Sequence, residues 1–163
     1  MIIRQATSKD VFDVSVIEKQ IEKQNAASLE TLKERRLMFP EGFKVAENTQ
    51  GIVGYAESCR WNLEDFEKLD QIKDFPRLHT PKGKNVYIIF MGVAESYRRE
   101  GVGSQMLQSM IDYSEHNGVG EMQLVSDENL VPFYNKLGFR AVRILPNFLP
   151  CSPGTLMKKR IKN

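Results

Sequence analysis

A short basic loop that contains glycine is the part of this sequence best suited to chemistry. It carries Arg98, Gly101 and Gly103, and it lies between an apolar run, residues 86–93, and an amphipathic segment. The first N–H groups of a helix have no intrahelical partner, and the helix dipole gives them partial positive charge. Glycine also lets the backbone approach a ligand closely. The order strand, loop and helix therefore predicts a site for a phosphate or pyrophosphate, although a tight strand-to-helix turn would use the same residues.

A second pattern surrounds Tyr134. An apolar run leads into Asp127 and Asn129, which could cap a helix. Pro132 is tolerated in a first helical turn, and Gly138 suits the position just after a helix end, so the pattern predicts a helix of about two turns. The residues alone leave two roles open for Tyr134, a catalytic acid or a tyrosine packed in the core.

Several further elements must position these residues. The sequence predicts a strand at 2–5, a helix that follows Thr7 and Asp10 at capping-box spacing, and a second helix at 28–37. The tetrapeptide at 48–51 indicates a hairpin between two strands. A helix is predicted over about 102–117. Two final strands are predicted at about 139–145 and 154–161, separated by a loop with prolines.

Together these patterns resemble the GNAT superfamily of N-acetyltransferases. That family has an R/Q-x-x-G-x-G/A loop after its fourth strand and a tyrosine helix that ends in Gly-Phe after its fifth. The first is matched at 98–103 and the second at 129–139. The segments 39–41, 79–83 and 130–134 are similar to the arylalkylamine N-acetyltransferase branch. The resemblance implies one domain, residues 1–163, with an α/β (α+β) fold in which helices lie on both faces of a mixed sheet of about seven strands.

The resemblance also implies that acetyl-CoA is the co-substrate. Backbone groups at the end of the fourth strand would bind its pantetheine arm and the reacting carbonyl, and the basic loop would hold its pyrophosphate. The cofactor-binding residues implied in this way are Met91, Gly92, Val93, Arg98, Arg99, Glu100, Gly101, Val102, Gly103, Ser104, Asn129 and Tyr134.

Acetyl transfer to an amine needs a proton for the leaving thiolate and a base for the amine. The resemblance assigns the proton to Tyr134, whose phenol is protonated at neutral pH. The arylalkylamine branch has two histidines on its fourth strand, but Tyr87 and Ile89 occupy those positions, and the strand has no carboxylate. Glu57 is the best substitute base, acting through water, although it could equally be a solvent-facing strand residue. If Glu57 is the base, its loss should lower kcat/KM most at low pH, where the amine is most fully protonated. Lesser candidates are His79 and Asp127.

We expect an N-acetyltransferase, which is a kind of acyltransferase. Its acceptor would be a small primary amine, aromatic amines included, that attacks acetyl-CoA directly in a ternary complex. The alternatives are a peptide or protein N-acetyltransferase and a non-catalytic acyl-CoA-binding module. An apolar amine tail would need aromatic surface. The rings that could supply it are Phe39, Trp61, Phe66 and Phe148.

Composition narrows the class of protein. A length of 163 residues with 41% hydrophobic residues suits one globular domain, and a net charge of +2 does not suggest nucleic-acid binding. No apolar stretch is long enough to span a membrane, and the N-terminus has no signal-peptide pattern, so a cytoplasmic location is expected. The cysteines and histidines lack metal-ligand spacing, so no metal site is expected. We expect a monomer or homodimer whose partner is a small-molecule amine.

Overall fold

The computed structural model describes residues 1–62, 78–149 and 152–162, with side chains except at 147–149 and 152. The strands are β1 (Ile2–Gln5), β2 (Phe43–Asn48), β3 (Gly51–Trp61), β4 (Asn85–Val93), β5 (Glu121–Ser126), β6 (Arg140–Leu149) and β7 (Ser152–Arg160). The helices are α1 (Val11–Glu22), α2 (Leu29–Met38), α3 (Val102–His116) and α4 (Val131–Lys136).

The strands form one mixed sheet of seven strands in the order β1-β2-β3-β4-β5-β7-β6. Strands β4 and β5 pair in parallel, whereas β1 with β2, β2 with β3, β5 with β7 and β6 with β7 pair antiparallel. The predicted fold class and the mixed sheet are therefore confirmed. The hairpin predicted at 48–51 joins β2 to β3, and Gly51 has the positive φ that this turn requires.

The chain divides into two compact units. The first consists of Met1–Ser58 and Ile89–Tyr113. Its apolar core lies where α1 and α2 pack on β2 and β3, and Tyr55 stacks there between the rings of Phe43 and Phe90. The side chains of this core are Ala6, Val11, Val14, Ile17, Leu32, Phe43, Val45 and Tyr55.

The second unit consists of Cys59–Ile88 and Ser114–Asn163. Trp61 is fully buried in it, stacks on Tyr87 with ring centroids 4.6 Å apart, and donates from its indole nitrogen to Gln123 Oε1 at 2.8 Å. A buried indole N–H needs such a partner. Gly83 packs so tightly on the Trp61 backbone that a Cβ would lie 2.4 Å from the Trp61 nitrogen, so Trp61 is a core residue of this unit.

Thr7 and Asp10, the pair at capping-box spacing, are bonded to each other just before α1, although the Asp10 side chain makes no capping bond to the helix. The carboxylate of Asp10 accepts from the Thr7 N–H at 2.6 Å and from the Thr7 hydroxyl at 2.7 Å. Arg4 binds both oxygens of the same carboxylate, at 2.8 and 2.9 Å. The Arg4 guanidinium is also the main reason that the pKa of Asp10 lies well below its usual range. The chain entering α1 is thus held by a charged side chain from β1.

Two local predictions were wrong. The segment between the last two strands is mostly strand, because β6 runs on to Leu149 and β7 begins at Ser152. Pro146 is tolerated inside β6 because β6 is an edge strand of the sheet, where a missing N–H costs no ladder bond. The second error concerns Asp127 and Asn129. Neither side chain caps α4, which instead follows a 3-10 turn at Glu128–Leu130.

Candidate active site

The end of β4 leaves backbone groups that β5 does not use. The parallel pairs run from Asn85 with Glu121 to Ile88 with Leu124, but β4 continues to Val93. Residues 89–93 therefore extend past the last β5 pair, and their N–H and C=O groups are not among those that pair with β5. Backbone polar groups of this kind need a partner when they are buried. An extended ligand arm of amide groups would supply one.

Gly92 lies on this free stretch of β4. A Cβ at this position would lie 2.5 Å from Ile21 Cδ1 on α1 and 2.7 Å from Phe90 Cε1. The Gly92 carbonyl oxygen also lies 3.0 Å from the position that a Cβ on Gly54 would take. A side chain at position 92 would therefore collide with Ile21 and Phe90, and the Gly92 backbone packs closely against Gly54 on β3.

The basic loop after β4 contains two residues in the left-handed conformation, just before a helix begins. Arg99 and Gly101 both have left-handed φ angles, 67° and 81°, and α3 begins at the next residue, Val102. Alternation of left-handed and right-handed residues turns successive N–H groups toward one side, which makes a concave site for an anion. Among the described residues, a Cβ at Gly101 would have only Gln105 Nε2 within reach, at 4.0 Å, so the space beside Gly101 is open.

Arg98 connects this loop to the free stretch of β4. Its Nε donates to the Val93 carbonyl oxygen at 3.0 Å. The structure therefore brings two predicted groups together in the first unit, residues 91–93 and residues 98–104. The contact also changes the role expected for Arg98, since one of its donors anchors the loop to the strand end. The Arg99 side chain is exposed and adds a second positive charge to the loop.

Tyr134 lies on α4 in the second unit. It is 8% exposed, and its ring meets those of Phe133 and Phe139 edge-on at 5.0 and 6.0 Å. Burial, together with the charge of Asp127, raises its pKa to about 12. The phenol is therefore protonated at every physiological pH, so it can serve as a proton donor and not as a general base. Asn129 is exposed in the turn that precedes α4.

Glu57 is a buried strand residue, so the solvent-facing alternative was wrong. Only 2% of it is exposed. Its Oε1 accepts from a guanidinium nitrogen of Arg35, on the last turn of α2, at 2.5 Å. Its Oε2 is buried with no hydrogen-bond partner among the described residues. Burial raises the pKa of Glu57 to about 7, the Arg35 charge lowers it, and the nearby Glu18 carboxylate raises it. A carboxylate with a pKa near 7 suits a general base at neutral pH.

Glu57→Gln is expected to change how stability depends on pH. Between its ordinary value of 4.5 and about 7, the folded protein holds a proton on Glu57 that the unfolded chain has lost. The free energy of unfolding therefore falls as pH rises through this window, by about 2–3 kcal/mol between pH 5 and pH 8. Urea titrations at the two pH values should show a smaller fall in the variant. Glu47→Gln, at a half-exposed site on β2, is the control, and an equal fall in all three proteins would contradict the prediction.

Sequence reasoning missed the side chains around Glu57. Glu18 on α1 is 4% exposed, and its two oxygens accept from the Ala27 N–H, at 2.8 Å, and from the Tyr55 hydroxyl. Tyr55 in turn lies on β3, two residues before Glu57, so both side chains share one face of the strand. One signal was present in the sequence, because Glu18 falls on the apolar stripe of α1, four residues after Val14.

The other proposed site residues are more dispersed. Tyr87 is buried against Trp61, so neither it nor Ile89 replaces the histidine pair. His79 Nδ1 accepts from the Arg60 backbone N–H at 3.2 Å, and Asp127 is exposed.

The described residues do not support the aromatic surface predicted for the tail of the acceptor amine. Trp61 is core, and Phe39 is 5% exposed with its ring edge-on to Tyr113 at 5.8 Å. Phe66 lies outside the described residues, and the Phe148 side chain is not described. Among the described residues, no three His, Cys, Asp or Glu side chains are grouped to hold a metal ion. Within the same part of the chain, none of the helices combines the length and apolarity needed to cross a membrane.

Known proteins are similar to this chain in sequence and in fold. The chain is 30% identical over 125 residues to an N-alpha-acetyltransferase of Sulfurisphaera tokodaii, which covers 74% of this chain and 66% of that protein. It is 33% identical over 82 residues to the serotonin N-acetyltransferase of Mesocricetus auratus, covering 50% of this chain and 39% of that protein. The chain thus spans less than two thirds of the length of either curated relative. The similar identities do not favour the arylalkylamine branch.

The structural comparison extends over nearly the whole chain. The loading GNATL domain of CurA from Lyngbya majuscula superposes with a TM-score of 0.85, covering 98% of this chain and 97% of that one, at 20% sequence identity. At that identity the likeness shows the fold alone. The sequence model of the acetyltransferase (GNAT) family matches residues 10–139, which include the free end of β4, the basic loop and the Tyr134 helix. The chain belongs to the GNAT family of acetyltransferases.

Proposed function

We propose that this protein is an N-acetyltransferase that moves the acetyl group of acetyl-CoA to a primary amine by direct attack in a ternary complex. The observation that carries the proposal is the arrangement at residues 89–104, where a strand end that runs past its last β5 pair is joined through Arg98 to a loop with two left-handed residues before α3. A pantetheine arm has amide groups to pair with the strand, and a pyrophosphate has the charge that the loop favours.

Each step of the reaction has a candidate group. Backbone N–H groups at residues 91–93 would stabilise the carbonyl oxygen as it becomes anionic. Tyr134 would donate to the thiolate as the carbon–sulfur bond breaks. Because its pKa is about 12 and that of a thiol is about 8.5, complete proton transfer is uphill, and a strong hydrogen bond is the main contribution. Glu57 would take the proton that the acceptor ammonium must lose before it can attack.

The α-amino group of a peptide is the acceptor class that we propose first. The similarity to an N-alpha-acetyltransferase supports it. A small aromatic amine is the second candidate, supported by the similarity to a serotonin N-acetyltransferase. The burial of Trp61 and Phe39 weakens the second candidate, because these rings present almost no surface to a ligand.

The test is thiol release from acetyl-CoA across a panel of short peptides with different first residues, aromatic amines, polyamines and lysine-containing peptides with blocked N-termini. We expect release above background hydrolysis with at least one free α-amine, and mass spectrometry should show the acetylated product. If acetyl-CoA binds but no amine increases thiol release, the protein is an acyl-CoA-binding module and the proposed activity is wrong.

Glu57→Gln tests the proposed base. A peptide α-amine has a pKa of about 8 and is partly unprotonated at neutral pH, so we expect loss of the base to lower kcat/KM by only about tenfold. The loss should appear above pH 7 and vanish below pH 6, where Glu57 is already protonated in the wild type, since its pKa is about 7. Burial thus reverses the low-pH expectation drawn from the sequence. Profiles of kcat/KM from pH 5.5 to 9 that run parallel for the two proteins would exclude Glu57 as the base.

A further inference from the structure

The carboxylates of Glu18 and Glu57 form a buried cluster with one unused acceptor atom. Both Glu18 oxygens are bonded, one to the Ala27 N–H and one to the Tyr55 hydroxyl. Glu57 Oε1 is bonded to Arg35, and only Glu57 Oε2 has no partner among the described residues. Three of the four carboxylate oxygens are therefore occupied by groups from α2, β3 and the segment between the first two helices. The arrangement selects one atom for a further donor.

The cluster has an excess of negative charge, which favours an incoming ammonium ion. With both carboxylates ionised, Glu18 and Glu57 carry two negative charges, and Arg35 supplies one positive charge. A buried charge without a partner is costly, so a cation or a proton is strongly favoured beside Glu57. The acceptor of an N-acetyltransferase arrives largely as an ammonium ion, which offers both.

The two charged neighbours act on Glu57 in opposite senses. The Arg35 guanidinium stabilises its ionised form, whereas the Glu18 carboxylate destabilises that form. Tyr55 also faces the cluster from β3, and burial together with the two carboxylates raises its pKa well above the usual value. Tyr55 therefore stays neutral and acts as a donor to Glu18. Among the described residues, the charged side chains that act on Glu57 are Arg35 from α2 and Glu18 from α1.

We propose that Arg35 and Glu18 are positioning residues for acetyl transfer: Arg35 holds one oxygen of Glu57 so that the other is presented for the acceptor proton, and Glu18 keeps that oxygen basic enough to take it. The inference rests on the proposed function, with Glu57 as the base. In this step an N–H bond of the ammonium breaks and an O–H bond forms on Glu57 Oε2, directly or through one water. The freed lone pair attacks the thioester carbon. The amine loses a second proton as the amide forms and the thiolate takes one up, so these two changes cancel. The proton on Glu57 passes to solvent after product release.

Opposite displacements of one pH profile test the proposal. Arg35→Gln removes the positive neighbour, so the acidic limb of kcat/KM should move to higher pH by about one unit or more. Glu18→Gln removes the negative neighbour, so the same limb should move to lower pH by about one unit. The acceptor should be the best amine of the panel, used with all variants, so that its own titration cancels. Damage to packing alone would lower the amplitude of both profiles without separating their limbs.

Two further variants serve as controls. Arg36→Gln removes the next charge on α2. The Arg36 side chain bonds to the Ala6 carbonyl oxygen, at 3.0 Å, and not to Glu57, so this variant should leave the acidic limb of kcat/KM in place. Arg35→Lys keeps the charge but loses the fork geometry, so it should lower kcat with a displacement smaller than that of Arg35→Gln. Circular dichroism at each pH shows that the variants are folded.

A direct titration covers the case in which a variant loses too much activity to profile. The Glu57 carboxyl carbon, labelled with ¹³C and assigned by its loss in Glu57→Gln, should titrate at higher pH in Arg35→Gln and at lower pH in Glu18→Gln. The positioning roles would be overturned if the wild type is an active transferase and the titration of Glu57 moves in the same direction in both variants, or moves in neither. If the wild type acetylates no amine, the proposed function itself fails, and the positioning roles fail with it.

Discussion

Tyr134→Phe is expected to lower kcat by about 10²-fold, the low end of the range for a general acid. The variant loses only a hydroxyl, and the edge-on contacts of the ring with Phe133 and Phe139 do not involve that hydroxyl. The fold and the affinity for acetyl-CoA should therefore change little. Steady-state kinetics give kcat, and calorimetry with acetyl-CoA gives the dissociation constant.

The pH dependence of kcat tests the role of Tyr134 in a second way. Because the pKa of Tyr134 is about 12, its ionisation should produce no decline of kcat below pH 10. Tyr113→Phe is the matched control. It removes a tyrosine hydroxyl from α3 while the ring can keep its edge-on contact with Phe39, and it should leave kcat unchanged. Wild-type turnover in Tyr134→Phe at every pH would mean that this tyrosine has only a packing role.

Gly103→Glu is expected to raise the dissociation constant of acetyl-CoA by about 10²-fold. Gly103 lies in the first turn of α3, two residues after the left-handed Gly101. A glutamate there would place a negative charge near the pyrophosphate, and like charges about 5 Å apart near a protein surface repel by about 3 kcal/mol. Calorimetry on the purified variant measures the change, and the effect should decrease as salt is added.

Two controls separate charge, bulk and position. Gly103→Gln adds the same bulk without the charge and should bind acetyl-CoA more tightly than Gly103→Glu. Gly120→Glu places the same charged side chain between α3 and β5, where the one described atom near a Cβ is the Lys84 carbonyl oxygen, at 3.8 Å. It should bind as the wild type does. If Gly103→Glu retains wild-type affinity, the loop does not hold the pyrophosphate.

The sequence by itself determined the elements whose signals are local. Capping, a positive φ and helical periodicity involve residues a few positions apart, so they can be recognised without knowing what packs on them. The start of α1 at Thr7 and Asp10, the loop from Arg98 to Gly103, and the short helix with Tyr134 were predicted in this way. The family resemblance followed from the order of these elements along the chain.

The tertiary structure decided the environments of the candidate side chains. Glu57 and Arg35 are 22 residues apart in sequence, and no local pattern pairs a strand carboxylate with a guanidinium on the preceding helix. Trp61 was equally ambiguous, because an aromatic residue at a strand end suits a core as well as a ligand site. Only the long-range contacts with Gln123 and Tyr87 show that it is core.

The difference between the two kinds of residue has one physical reason. Backbone conformation depends on near neighbours, whereas desolvation and Coulomb interactions depend on whichever groups the fold brings together. The sequence therefore sufficed to place a glutamate on β3. Burial raises the pKa of that glutamate to about 7, while Arg35 on α2 lowers it and Glu18 on α1 raises it. All three effects are properties of the folded chain.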